Sequence, residues 1–98
     1  MRQPNWWRCF PRFTHADLPE IPEGWADVSW ENDCCPSWQQ GQLIVYVDYI
    51  DPNEREFPES RTRFTILECM HMTHLHSTNS WRDVLDYFGY SPLSAAPA

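Results

Sequence analysis

The chain has 98 residues, a formal net charge of −7 and no lysine among its seven basic residues. This describes one small acidic domain and disfavours direct contact with nucleic acid or an acidic membrane surface. No apolar run reaches the about 18–20 residues of a bilayer-spanning helix, and no signal-peptide stretch opens the chain, so a cytoplasmic location is expected.

The charge is unevenly placed. Eleven of the fourteen carboxylates lie between Asp17 and Glu59, where Arg55 is the only base, so this stretch carries −10. Arg2, Arg8 and Arg12 precede it without an acid, and behind it Arg61, Arg63 and Arg82 balance Glu68, Asp83 and Asp86. Six Trp, five Phe and four Tyr must supply much of the core, because each aromatic ring can bury about 150–250 Å² with few rotamers to freeze.

Residues 1–24 hold four prolines (Pro4, Pro11, Pro19, Pro22) and little periodicity, the signature of an irregular or polyproline-like arm. Trp6, Trp7, Phe10, Phe13, Leu18 and Ile21 are too apolar to stay in water, so the arm should wrap onto the domain or dock on a partner. The PxxP match formed by Pro19 and Pro22 is read as a chance product of a proline-rich segment. From Ala26 to Glu31 apolar and polar residues alternate as in a half-buried strand, and residues 32–37 read as a loop.

Residues 42–50 are rich in β-branched and aromatic side chains and apolar on both faces, as in a central strand. Asp51, Pro52 and Asn53 begin a turn, and the charged stretch to Ser60 reads as a connecting loop. Residues 61–72 alternate again and should pair with the preceding strand as a hairpin. Trp81, Val84, Leu85 and Phe88 then form one apolar helical stripe, with Ser80 as N-cap, Asp83 in the first turn and Gly89 at the C′ position. Residues 90–98 should fray. The expected fold is α+β in a single domain: a three-stranded antiparallel meander packed by one C-terminal helix over residues 25–89, an N-terminal arm and a flexible tail.

No catalytic chemistry is written in the chain, and no enzyme is expected. Three glycines give little means of building a nucleophile turn or phosphate loop, and nothing marks an oxyanion site for a Cys–His pair. Asp48 and Asp51 are read as repelling surface rather than an acid–base couple. Cys9, Cys34, Cys35 and Cys69 should stay reduced, since adjacent cysteines such as Cys34 and Cys35 join only under strain. Cys34 or Cys35 with His74 and His76 could form a zinc site, but the spacing lacks a tight half-site, and no cofactor or metal is expected. The arginines and aromatics of the arm, Trp6 to Phe13, imitate a single-strand binding recipe, which the neighbouring acidic block opposes.

What remains is binding through charge. Carboxylates on a stiff β scaffold can imitate a phosphate array and steer onto an arginine-rich groove. The contact residues expected are Asp27, Glu31, Asp33, Asp48, Asp51, Glu54, Glu56 and Glu59, with Trp30 or Trp38 as aromatic anchors. In size, acidity and absence of catalytic motifs the chain resembles the small accessory proteins encoded by phages and prophages, including the anti-CRISPR class of inhibitors. That compositional resemblance transfers no site residue; it implies inhibition of a basic host protein or ribonucleoprotein complex. Two other readings stand beside it: a zinc-stabilised module, and a structural or assembly component of a phage particle.

Overall fold

The computed structural model describes residues 4–55 and 62–89. A short helix α1 (Asn5–Cys9) opens it. Five strands follow, β1 (Ala26–Asp27), β2 (Ser37–Gln40), β3 (Leu43–Val47), β4 (Phe64–Glu68) and β5 (Thr73–Thr78), and helix α2 (Trp81–Tyr87) closes it. The strands pair antiparallel in chain order, β1-β2-β3-β4-β5, an open meander with β3 at its centre.

The class is therefore α+β, but the expected three strands are five. Two local causes account for the difference. The stretch expected as one strand from 26 to 31 pairs only over Ala26–Asp27 before the chain turns, and β2 arises where a loop and an unassigned stretch were expected. A two-residue turn joins β2 to β3, with Gly41 at φ 62, the left-handed conformation such turns need and glycine adopts without strain. The single strand expected from 61 to 72 is folded back on itself through residues 69–72 into β4 and β5.

That second turn contains no Gly, Pro, Asn or Asp. The Glu68 carboxylate takes their place, accepting hydrogen bonds from the backbone N–H of Met70 at 2.7 Å and of His71 at 2.9 Å, while Met72 adopts φ 56. These bonds, against a small opposing cost of burial, hold the Glu68 carboxyl below its usual range. The register then shifts between Ile66, opposite His76, and Leu67, opposite His74. Leu75 is thus the extra residue of a β-bulge.

One sheet face carries the core. Trp38, Val45 and Ile66 lie side by side across β2, β3 and β4, and with Val47 and Phe64 they pack under the arm and α2. The arm does wrap onto the domain: Trp6, Phe10 and Phe13 are buried, and Phe13 meets Tyr49 edge-on at 5.4 Å between ring centres. From α2, Val84 is fully buried and Trp81 lies 5.2 Å from Phe64. The helix ends follow the sequence: Ser80 Oγ accepts from the Asp83 amide at 3.2 Å, and Gly89 takes φ 76. The arm is not wholly irregular, since α1 forms within it behind Pro4. The flexible tail expected over 90–98 lies outside the described residues.

Candidate functional site

The acidic stretch does not form one bare surface. Three arginines thread through it, two of them from outside the stretch. Arg55 is buried, and its Nε donates to the Tyr49 carbonyl at 2.8 Å. Arg63 donates to the carbonyls of Asp48, at 3.0 Å, and Asp17. Arg12 pairs with Glu54. Several carboxylates likewise hold backbone. Asp27 accepts from the Trp6 amide at 2.9 Å and the Ser29 amide at 3.1 Å. Asp48 accepts from the Tyr49 amide at 2.9 Å, and Asp51 caps the 3₁₀ turn Pro52–Glu54 through the Asn53 amide.

The ten residues expected to meet a partner therefore separate. Asp27 is a brace between β1 and the arm. Trp38, 4% exposed, is a core residue and gives no surface to an anchor, which corrects its assignment: its neighbour across the strands is the fully buried Val45, so the face it shares points inward. Asp48, Asp51 and Glu54 follow β3 and are engaged as above. Glu56 and Glu59 lie outside the described residues. Trp30, Glu31 and Asp33 remain together on the β1–β2 loop, with Trp30 56% exposed. Among the described residues no cation stands within ion-pair distance of Glu31 or Asp33.

On the sheet face opposite the core, a cleft of about 270 Å³ is lined by Cys34, Cys35, Tyr46, Asp48, Arg63 and Leu67, among others. No local sequence signal marks it, because its walls come from three separate segments that only the meander brings together. The Tyr46 hydroxyl reaches the Asp33 carboxylate at 3.5 Å, which ties the cleft to the acidic loop. Burial, followed by the nearby Asp33 charge, pushes the Tyr46 hydroxyl up to about 12. Burial also pushes the Cys35 thiol well above its usual value, with Asp48, Cys34 and Asp33 adding to it and Arg55 alone opposing. Cys35 is therefore a protonated thiol, the opposite of an activated nucleophile.

The histidines are engaged elsewhere. His74 meets Ser77 at 2.7 Å, and His76 meets Asp83 at 2.8 Å while stacking on Tyr87. Among the described residues no group of three or more His, Cys, Asp or Glu side chains is placed to hold a metal ion, and no helix is long and apolar enough to cross a membrane. No protein-family model matches this chain, and no match is found among curated proteins or solved structures.

Proposed function

We propose that this chain is a small acidic protein-binding module that engages a basic partner through the loop carrying Trp30, Glu31 and Asp33. The observation that supports this is the loop itself: an aromatic side chain 56% exposed, beside two carboxylates that no described cation neutralises. An arginine of a partner can lay its guanidinium on the Trp30 ring and pair with Glu31 or Asp33. The aromatic anchor is expected to dominate, since exposed ion pairs contribute only about 0–1 kcal/mol each. In its specific form the partner site is the arginine-rich groove of a nucleic-acid-handling host protein or complex, and the chain acts as an inhibitor by occupying it, as the resemblance to anti-CRISPR proteins implies.

The test is capture on the immobilised protein from a bacterial lysate, repeated with a Trp30→Ala/Glu31→Gln/Asp33→Asn variant. Nucleic-acid-binding proteins should be retained by the native chain, released as salt rises, and lost by the variant. Retention that ignores both salt and the three substitutions would count against the proposal.

A further inference from the structure

We propose that the cleft on the sheet face opposite the core is an arginine pocket, which takes one arginine side chain of the basic partner next to the contact made at Trp30. The proposal rests on the reading of the Trp30 loop as the binding surface and adds to it a second, recessed contact. The same loop builds the wall of the cleft. Its base is tied to β2, where the Val28 amide donates to the Ser37 carbonyl at 3.0 Å and the Ser37 amide donates to Ser29 Oγ at 3.1 Å. At its tip the Asp33 amide donates to the Trp30 carbonyl at 3.0 Å, so one turn carries both the exposed Trp30 ring and the carboxylate that reaches Tyr46. Cys34 and Cys35 follow as the wall, beside Tyr46 of β3 and Thr65 and Leu67 of β4. Tyr46 and Thr65 are direct cross-strand partners. Backbone pairing thus holds the site in shape, which lowers the ordering cost of binding.

Size and charge select the occupant. Drug-sized ligands commonly fill about 300–1,000 Å³, whereas this cleft has about 270 Å³, space for one side chain rather than a cofactor. Leu67, the Thr65 methyl and the Tyr46 ring give apolar surface along which an aliphatic stem can lie. The polar end suits a guanidinium. Tyr46 donates its hydroxyl to Asp33 over 3.5 Å, long for an O–H···O bond, and no described cation stands within ion-pair distance of Asp33. Burial and then the Asp33 charge raise the Tyr46 hydroxyl to about 12. It therefore stays protonated and can accept one guanidinium N–H while Asp33 accepts another. Arg63 also lines the cleft, but its Nε and a terminal nitrogen donate to the Asp48 and Asp17 carbonyls, and Asp48 in the same lining offsets its charge. An anion would meet the carboxylates of Asp33 and Asp48. A lysine is more strongly hydrated than an arginine and lacks the planar fork that reaches two acceptors at once.

The experiment compares the affinity of a labelled arginine-rich peptide with that of its all-lysine counterpart, by fluorescence anisotropy at low salt. The chains are the native protein, Tyr46→Phe, Thr65→Trp and Trp30→Ala/Glu31→Gln, each checked for folding by circular dichroism. The native chain should prefer the arginine peptide. Tyr46→Phe should weaken that binding by roughly tenfold, and Thr65→Trp, which fills the cleft, by at least as much, with the lysine peptide little affected by either. On the native chain, nuclear Overhauser contacts should join the arginine methylenes to the Leu67 methyls and the Tyr46 ring. Cleft variants that bind as tightly as the parent, or contacts confined to Trp30, would overturn the pocket; a loss in Trp30→Ala/Glu31→Gln would then leave the loop reading standing. Loss in the cleft variants alone would uphold the pocket and overturn the Trp30 contact. Equal binding by all four chains, or none by the native chain, would overturn both.

Discussion

The two edges of the sheet are finished differently. On the β1 side, Asn5 and Asp27 are committed to backbone groups that join the arm to the strand, and Trp6, Phe10 and Phe13 seal the core beneath. On the β5 side the strand is uncharged, half-exposed and held to the body chiefly by β4 and α2. The lesson is that carboxylates clustered in sequence need not form one bare patch. Asp27, Asp48 and Asp51 brace backbone amides, whereas Glu31 and Asp33 have no described cation within ion-pair distance.

The largest effect should come from cutting the tied side. Phe13 is 1% exposed, and Phe13→Ala should cost about 3–5 kcal/mol, measured by denaturant unfolding. The same measurement on Leu75→Ala, at the open edge, should stay within about 0.5 kcal/mol of the parent; equal losses would erase the distinction between the sides. Next in size is Asp27→Ala, which leaves the Trp6 and Ser29 amides without their acceptor and should cost about 1–3 kcal/mol. Ser80→Ala removes the N-cap of α2 and should cost about 1 kcal/mol.

The smallest effect is one of pH. Burial alone would raise the Asp17 carboxyl, but hydrogen bonds from the Thr14 and Ile50 amides and the Thr14 hydroxyl, with Arg63 nearby, outweigh it and hold the group below its usual value. A carboxyl lowered by folding contributes stability that is present above the ordinary carboxylate range and lost as pH falls through it. Unfolding midpoints taken from neutral to acid pH should therefore fall less steeply in Asp17→Asn than in the parent.

Much of the framework was legible in the residues. The both-sided apolar character of residues 42–50 marked the central strand, and Ser80, Asp83 and Gly89 marked the ends of α2, because caps and alternation are local signals. The β4–β5 turn was not legible, since its stability comes from a Glu68 carboxylate on two amides and from a methionine at positive φ rather than from turn-forming residues. Strand β2 was missed because its pattern, Ser-Trp-Gln-Gln, is short and polar and pairs only by virtue of Gly41 and the strand beyond it. The candidate site divided in the same way. Trp30 and Trp38 are alike in composition, and only the register that sets Trp38 beside Val45 shows which one faces the core. Arg12 and Arg63 reach the acidic stretch through contacts distant in sequence, which no spacing rule reveals.

The binding claim is tested most directly by titrating the protein with an arginine-rich peptide and following its backbone amides by NMR. The expected result is a saturable, salt-sensitive set of shifts centred on Trp30, Glu31 and Asp33, with the β5 amides unmoved. Shifts centred on the arm or on β5, or no shifts at low salt, would contradict it.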